Sequence, residues 1–395
     1  MTRFRKSSAS LPPPTELAAD QRVSKHRRIY DHLLAAIQSG QLKPGDRLPS
    51  EAELGELFSA SRITVAKAVL DLQRLGYVTR RPGAGTHVQG PAPIPGRTFG
   101  LLIPELGLTE IFEPICRGMM RTPFARPDTL LWGNTASTIR EAARDAEQLV
   151  DSFLAQKVSG IFFAPLELVP EKDQVNRRIA RTFERAQIPL VLLDRDFLPY
   201  PERSPHDLVG IDNRRAGFLA TAHLLSLGVR NLGFLSADFS ANTVDARITG
   251  FYEALRSHGV APTHDPVWHG SPDDESLVRC ILERHRSGGI VCANDVTAAH
   301  LMRTMLALGV RLPEEVRVVG IDDLRWASLL PVPLTTVHQD CAAIGMAAMA
   351  TMLSRLDHPE LPPRDVLIPT RLVVRQSCGT HLASPAASRS LIPDH

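Results

Sequence analysis

The sequence predicts an α/β protein in two parts: an N-terminal winged helix-turn-helix and a larger two-lobed domain with parallel sheets. Three observations carry this prediction. Before residue 90, three short helical segments and a glycine-tipped hairpin follow one another and hold a basic excess. A proline-rich stretch then interrupts all periodicity. Beyond it, short apolar runs alternate with segments of helical period, which is the pattern of βαβ units and parallel sheets.

Composition bounds the class of protein. The chain has 395 residues, enough for two or three domains, of which 43 % are hydrophobic and 22 % charged. It has no apolar run of about 18 residues and no apolar stretch behind its polar, basic start, so neither a membrane partner nor a secretory signal is expected. The five cysteines are scattered without a CxxC pair. This usage suits reduced thiols in the cytoplasm, and we expect no metal, cofactor or disulfide framework.

Charge is distributed unevenly along the chain. The formal net charge is only +2, but residues 1–90 hold 14 basic against 8 acidic residues, a local charge of +6. The remainder of the chain therefore carries −4. A basic head on a mildly acidic body indicates that the head binds a polyanion. A basic, solubilising tail would explain the first few residues, but not the charges inside the periodic segments.

The first segments of the head are a leader and a helix. Residues 1–22 are rich in serine and proline, which predicts a disordered leader. The first helix is expected over residues 24–39. Its buried face is given by Ile29, Leu33 and Ile37, which repeat every four residues.

The next two helices predict a helix-turn-helix. Ser50 and Glu53 are three residues apart and form a capping box that starts a short helix. Ser61 caps the third helix, which is expected to run to Leu75 and to stop at Gly76. In this motif the last helix enters the major groove of DNA with its N-terminus leading.

That geometry selects the candidate DNA contacts. Arg62 is placed to read a guanine edge or to grip phosphate, and Thr64 and Lys67 lie beside it. A hairpin with strands at residues 77–81 and 86–89 follows, and its glycine tip lets the backbone approach a groove closely. The predicted DNA-binding residues are Arg47, Ser50, Ser61, Arg62, Thr64, Lys67, Arg80, Arg81, Gly83, Gly85 and Thr86. The alternative is a small helical domain with a hairpin and no role in DNA binding.

Residues 25–89 resemble the winged helix of the GntR family of bacterial transcription regulators. The resemblance rests on GDRLPSE at residues 45–51, SRITV at 61–65, RRPGAGT at 80–86, Leu72 and Gly76. In that family an arginine and a threonine of the third helix and a wing glycine contact the operator, and the resemblance implies this role for Arg62, Thr64 and Gly85. Members often have arginine where this chain has Ala52 and Ala66. Those two contacts are therefore missing here.

The domain boundaries follow the proline-rich stretch. Residues 91–97 alternate proline with small residues and predict a semi-rigid linker. The winged helix-turn-helix is assigned to residues 23–90 and the two-lobed domain to residues 98–378. Residues 379–395 are expected to form a flexible tail.

The body predicts two sheets that face each other across a cleft. Its apolar runs lie at residues 99–103, 130–132, 160–164, 190–193, 208–211, 232–235, 289–293 and 316–321. With the helical segments between them, these are too many units for one sheet of five or six strands. Ligands of such sheets bind beyond the carboxyl ends of the strands. This rule directs attention to Asp194, Asp295 and Asp322 and their neighbours.

The stretch from Phe99 to Ser377 resembles the effector domain of the LacI/GalR family, which is itself similar to periplasmic sugar-binding proteins. The resemblance rests on IPLVLLDR at residues 188–195, RITGF at 247–251, AND at 293–295, VVGIDD at 318–323 and PLTTVHQD at 333–340. In that family the matching arginine and aspartate bind ligand hydroxyls, which implies this role for Arg247 and Asp295. A planar multiple donor and a fixed acceptor suit vicinal diols.

Further effector candidates are Asp194, Gln339 and Phe112, although Phe112 suits the core equally well. Asp322 and Asp323 are interpreted as caps of the following loop. Whether Trp268 stacks on a ligand ring is left open by the sequence.

The sequence thus predicts a cytoplasmic, homodimeric transcription regulator, most simply a repressor, that binds double-stranded operator DNA and a sugar-like effector. No catalytic residues are assigned, because the chain has no P-loop, no GxSxG and no metal-ligand spacing. Two other classes stay open: a cytoplasmic sugar-binding protein, and an enzyme on the same two-lobed scaffold. A GntR-type protein with an aminotransferase-like body is disfavoured, because repressor-like motifs fill most of the body.

Overall fold

The chain forms two compact units, Met1–Gly96 and Arg97–His395. The computed structural model describes residues 24–74, 76–81, 85–89, 96–103, 110–121, 128–133, 139–262 and 264–382. The predicted leader, most of the predicted linker and residues 383–395 of the predicted tail lie outside these ranges. Within them, no helix is long and apolar enough to cross a membrane.

The first unit consists of three helices and a two-stranded wing. Its elements are α1 (Lys25–Gln38), α2 (Glu51–Phe58), α3 (Arg62–Arg74), β1 (Val78–Arg81) and β2 (Gly85–Val88). Ser24 caps α1, and Ser50 caps α2 in a capping box with Glu53. Fully buried side chains from all three helices form one core, among them Ile29, Leu33, Leu54, Val65, Ala68 and Leu72. The predicted winged helix-turn-helix is confirmed.

The wing is tied to the start of α2. Strands β1 and β2 are antiparallel, with Arg81 opposite Gly85. The Gly45 amide donates to the Val88 carbonyl at 2.7 Å, and the Leu48 amide donates to the Thr86 carbonyl at 2.9 Å. The segment before α2 therefore runs along β2 and fixes the wing relative to the helices.

The second unit consists of two lobes, each built on a six-stranded sheet. Its elements in chain order are β3 (Thr98–Leu102), α4 (Phe112–Met120), β4 (Thr129–Leu131), α5 (Ile139–Ala155), β5 (Gly160–Phe163), α6 (Lys172–Arg185), β6 (Leu190–Leu193), β7 (Asp207–Ile211), α7 (Asn213–Ser226), β8 (Leu232–Ser236), α8 (Asn242–Ser257), β9 (Val267–His269), α9 (Glu275–His285), β10 (Gly289–Cys292), α10 (Asp295–Ala307), β11 (Arg317–Asp322), β12 (Thr335–Gln339), α11 (Cys341–Asp357), β13 (Asp365–Ile368) and β14 (Thr370–Val373), with 3₁₀ turns at Arg325–Ser328 and Thr380–Leu382.

The two sheets have the topology expected of facing βαβ lobes. The sheet of the first lobe has the strand order β13-β7-β6-β5-β3-β4, and all its neighbours are parallel. The sheet of the second lobe has the order β14-β12-β11-β10-β8-β9, in which only the β12–β14 pair is antiparallel. The predicted α/β fold with parallel sheets is confirmed.

The chain passes between the lobes at β7–α7, at β12–α11 and at β13–β14. Two aspartates stabilise the first two crossings. Asp212 accepts the Arg215 amide at 2.9 Å and caps α7, and Asp340 accepts the Ala343 amide at 2.9 Å and caps α11. Few backbone segments join the lobes, which is the arrangement that permits hinge closure around a ligand.

In each lobe a pair of helices crosses at glycines. A Cβ on Gly217 of α7 would lie 2.0 Å from the Arg247 carbonyl oxygen, and one on Gly250 of α8 would lie 1.9 Å from the Arg214 carbonyl oxygen. Gly118 and Gly345 make the matching contact between α4 and α11. Because α8 rests directly on α7, the backbone position of Arg247 is fixed by this crossing.

Candidate functional site

The first candidate site is the exposed side of α3. Ser61 accepts the Thr64 amide at 3.3 Å, and their two hydroxyls are 2.8 Å apart. The helix therefore begins with a side-chain cap, which stabilises its first turn. Ile63 is 83 % exposed and Lys67 is exposed as well. An isoleucine turned to solvent in a capped first turn adds nothing to the core, but it suits contact with a base methyl group.

Glu51, the first residue of α2, holds two of the predicted DNA-binding arginines. Its carboxylate oxygens lie 3.2 Å from Arg62 Nε and 3.2 Å from Arg80 Nη2. Both arginine side chains remain mostly exposed, at 81 % and 64 %. The recognition helix and the wing therefore present their guanidinium groups on one side of the domain, with further N–H donors facing solvent.

The wing shows why a glycine stands at position 85. Gly85 has a φ of +91°, and a Cβ there would lie 2.7 Å from Arg47 Nε. The Arg47 side chain thus lies over the wing backbone. Thr86 is half-buried in β2, and Arg81 is exposed beside it.

Two other predicted DNA-binding residues are not among these side chains. The Ser50 hydroxyl already accepts the Glu53 amide at 3.2 Å as a helix cap. Gly83 lies outside the described residues.

The second candidate site lies at the carboxyl ends of the strands, between the lobes. Asp194 follows β6 in the first lobe, while Asp322 ends β11 and Gln339 ends β12 in the second. Asp194 has a φ of +68° and Asp322 a φ of +133°, which are strained values for residues other than glycine. Such strain concentrates at functional sites, where the surrounding structure maintains it.

Arg247 is the fixed donor of this site. It is buried, its Nε donates to Asn213 Oδ1 at 2.8 Å, and its Nη1 donates to the Ala293 carbonyl at 2.5 Å. Its Nη2 lies 3.9 Å from Asp322 Oδ1. Arg247 Nε and Nη1 thus hold the side chain in place through hydrogen bonds, and Nη2 points toward the Asp322 carboxylate.

Two acceptor atoms in the site have no donor. Among the described residues, Asp194 Oδ1 and Gln339 Oε1 are buried side-chain oxygens without a hydrogen-bond partner, while Gln339 Nε2 donates to Asp322 Oδ1 at 3.1 Å. Burial raises the pKa of Asp194, although the nearby Arg195 and Arg247 oppose this. Burial also raises the pKa of Asp322 well above its ordinary value, against the effect of Arg247. Buried acceptors without donors suit a ligand that supplies hydroxyl hydrogens.

Two of the predicted effector residues lie behind this surface. Asp295 is completely buried, and its carboxylate accepts the Thr336 hydroxyl at 2.6 Å and the Leu324 amide at 2.9 Å. Burial raises its pKa to about 6. Phe112 is also completely buried, with the Arg195 guanidinium 5.7 Å from its ring centre. Both residues therefore support the side chains that line the cleft.

Trp268, whose role the sequence left open, is engaged elsewhere. Its indole N–H donates to His285 Nε2 at 3.1 Å, and the Arg284 guanidinium lies 4.9 Å from its ring centre. These contacts hold the indole of this β9 residue against the end of α9.

A cavity adjoins the polar site. It has a volume of about 360 Å³ and opens between the start of α4 and the ends of β11 and β12. Its lining includes Glu110, Glu113, Asp322, Asp323, His338 and Gln339. Residues 104–109, next to it in the chain, lie outside the described residues. In the part of the chain that the structure describes, no three His, Cys, Asp or Glu side chains are grouped as metal ligands.

Three residues of the site were not assigned to effector binding from the sequence. Asp322 was interpreted as a cap but faces Arg247, and its place at the end of a buried strand was the available signal. Glu167 carried no comparable signal; it acts through Arg195 and Asn213 acts through Arg247, and both partners are distant in sequence.

Comparison with known proteins finds two family models that match parts of this chain and relatives that are named transcriptional repressors. Residues 25–88 match the model of bacterial regulatory proteins of the gntR family, and residues 221–378 match that of the periplasmic binding protein-like domain. An arabinose metabolism transcriptional repressor of Geobacillus stearothermophilus is 27 % identical over 371 residues, covering 91 % of this chain and 98 % of its own.

Two further similarities each cover 71 % of the chain. The HTH-type transcriptional repressor PurR of Aliivibrio salmonicida is 26 % identical over 287 residues, covering 71 % of this chain and 81 % of its own. The crystal structure of the transcription regulator CcpA of Lactococcus lactis superposes with a TM-score of 0.61 at 21 % identity, covering 71 % of this chain and 99 % of its own. The similarity to the CcpA structure concerns the fold alone.

Proposed function

Since the chain joins a gntR-family winged helix to a periplasmic-binding-protein-like domain of the LacI/GalR type, we propose that it is an effector-controlled repressor of transcription. The observation that carries the proposal is the pairing of two sites in one chain. One is a capped, exposed basic helix with a wing, and the other is an interlobe site with buried acceptors that need donors. The first suits DNA and the second suits a small hydroxylated molecule.

Operator recognition depends on the first turn of α3 and on the wing. Arg62 reads a guanine edge or grips phosphate, Thr64 and Lys67 add contacts beside it, and Arg80 and Arg81 bind the backbone from the wing. Because Ala52 and Ala66 supply no guanidinium, this chain reads fewer bases through arginine than many proteins with the same domain. Two copies of the chain bind a pseudo-palindromic operator as a homodimer in the cytoplasm, where the DNA lies.

The effector is a sugar or polyol. Asp194 Oδ1 and Gln339 Oε1 lack donors, which favours a molecule rich in hydroxyl groups. Arg247 and Asp322 also contact the effector directly. Asp295 and Phe112 lie behind these residues and support the side chains that line the cleft. L-Arabinose is the first compound to test, because a relative similar along most of the chain is named an arabinose metabolism repressor.

Control follows from linkage. A sugar that binds one closure state of the two lobes more tightly shifts the population toward that state. If that state holds the two winged helices at a different spacing, the affinity for the operator changes. The sugar and the operator then alter each other's affinity by the same factor.

The experiment is a fluorescence anisotropy titration of the protein with duplex DNA from its own promoter region. Affinity should fall steeply between about 50 and 200 mM salt, because phosphate contacts release counterions. A panel of mono- and disaccharides, with L-arabinose first, should contain one that shifts the affinity. Binding that is absent at every salt concentration would refute the proposal, and sugar turnover without DNA binding would favour an enzyme.

A further inference from the structure

The two lobes meet along one rim of the cleft through Glu167. This residue lies in the loop after β5, in the first lobe. Its Oε2 accepts the backbone amide of Ala241, at the start of α8 in the second lobe, at 3.2 Å. Its Oε1 is paired with Arg195 Nη1, and Arg195 Nε also donates to the Pro165 carbonyl at 2.8 Å. Glu167 is therefore braced within its own lobe and binds the other.

Helix α8 has no cap of its own. Its N-cap residue is Ala241, which has no side chain able to accept a hydrogen bond. The first amides of a helix need an acceptor, and the partial positive charge of the N-terminus favours a carboxylate. Glu167 supplies both from the opposite lobe. Opening the cleft on this side would leave the start of α8 without its side-chain acceptor.

A second contact lies beside the first. The Leu168 amide donates to the Phe239 carbonyl at 2.8 Å, again across the lobes. Leu168 has a φ of +61° and Phe239 a φ of +55°, both in the left-handed region that favours glycine. Two strained residues meet at one interlobe hydrogen bond, which indicates that the rim is shaped for this contact.

We propose that Glu167 is the closure latch of the effector domain. By capping α8 across the cleft, it holds the closed state and keeps Arg247, on the second turn of α8, opposite Asp194. Glu167 is a positioning residue, because it acts through α8 and Arg195. The proposal rests on the proposed function, in which closure of the lobes carries the response to the effector.

The test measures the separation of the lobes in the full-length chain. Spin labels are placed at Arg181 on α6 and Arg256 on α8, which are exposed and lie in opposite lobes. The background carries serine in place of the cysteines that are not buried, which are Cys116, Cys280 and Cys341. Labelled chain is diluted into unlabelled chain, so that the distances arise within one subunit.

Glu167→Ala should raise the ratio of open to closed molecules about 2- to 30-fold, the range expected for loss of a helix cap. Glu167→Gln keeps an oxygen acceptor for the Ala241 amide and should open less. Glu171→Ala is the matched control, because Glu171 is an exposed glutamate nearby in the same connection. It removes the same charge and should leave the distances unchanged.

The latch proposal is wrong if Glu167→Ala shows the wild-type distance distribution, or if Glu171→Ala opens the lobes as much as Glu167→Ala does. If Glu167→Ala does not fold, Glu167→Asp replaces it. The shorter side chain keeps the negative charge but is too short to accept the Ala241 amide. The proposal then requires the same increase in the ratio of open to closed molecules. Operator binding is measured in parallel on the same samples. Its absence in the wild type would refute the proposed function, whereas the distance result would still decide the latch.

Discussion

Replacing Gly217 by alanine is expected to damage effector binding without touching the effector, because α7 and α8 meet at this glycine. A Cβ there would lie 2.0 Å from the Arg247 carbonyl oxygen and 2.8 Å from the Arg247 Cα. Ordinary contacts begin at 3.4 Å, so the two helices must separate by about 1.4 Å. Since α7 carries Asn213 and α8 carries Arg247, this separation stretches their 2.8 Å hydrogen bond beyond bonding distance.

The loss of one hydrogen bond to a charged group costs about 1.5 to 3 kcal/mol, so the affinity for the effector should fall about 10- to 150-fold. Overpacking should also lower the free energy of unfolding by about 1 to 3 kcal/mol. Titration calorimetry with the responsive sugar measures the first quantity, and urea unfolding measures the second.

The matched control for this prediction is Gly288→Ala. A Cβ on Gly288 would lie 2.2 Å from the Asn231 carbonyl oxygen, at the amino ends of the strands and away from the cleft. This variant should lose stability but keep its affinity for the sugar. The reasoning is refuted if Gly217→Ala is destabilised like the control and still binds the sugar as the wild type does.

Three further predictions separate the roles of single residues. Arg62→Ala should weaken operator binding about 10- to 100-fold in anisotropy titrations, with the unfolding midpoint of the body unchanged; an unchanged operator affinity would remove Arg62 from the interface. Arg247→Ala should abolish the sugar response while operator binding persists, and it should lower the free energy of unfolding by about 1 to 3 kcal/mol for each of the two buried acceptors that lose their donor, Asn213 Oδ1 and the Ala293 carbonyl. The pKa of Asp295 is raised to about 6 in the folded protein, so the fold holds this proton more tightly than the unfolded chain does. Its contribution to stability is therefore full below about pH 4 and lost as the pH rises through about 6, and Asp295→Asn should flatten this part of a stability profile measured by urea unfolding; an unaltered slope would contradict that assignment.

The strands of the body could be predicted where a run of apolar residues marks them. Each apolar run predicted in the body overlaps an observed strand, because parallel strands buried on both faces need apolar side chains throughout. Strand β12 was missed because it reads Thr-Thr-Val-His-Gln. Thr335 and Thr336 are completely buried, and their hydroxyls are satisfied by the Arg375 amide and the Asp295 carboxylate. Such partners lie about 40 residues away in the chain and leave no local signal.

The candidate effector site could be located from the sequence but not oriented. Strand ends and family-like motifs indicated both Asp295 and Asp322. Which carboxylate faces the cleft depends on backbone geometry: Asp295 is turned inward against Gly320, where a Cβ would lie 2.2 Å from its Oδ1. Asp322 adopts a φ of +133° and is turned toward Arg247. The φ angle of Asp322 cannot be predicted from composition or from residue spacing.

The winged helix was more accessible to prediction because its signals are local. The capping box of Ser50 and Glu53, and the cap that Ser61 gives to α3, join residues three positions apart. The link from Glu51 to Arg62 and Arg80 spans 11 and 29 residues and was not predicted. The backbone hydrogen bonds of the segment before α2 fix the wing, and Glu51 then holds the Arg62 and Arg80 guanidinium groups on one surface.

The central claim is that a ligand in the cleft controls the grip of the winged helix on DNA. Titration calorimetry of the sugar into the protein, with and without a saturating operator duplex, tests it most directly. The affinity for the sugar should change by the same factor by which the sugar changes operator affinity, about 5- to 150-fold for typical coupling. An affinity for the sugar that is identical with and without the operator would contradict the account.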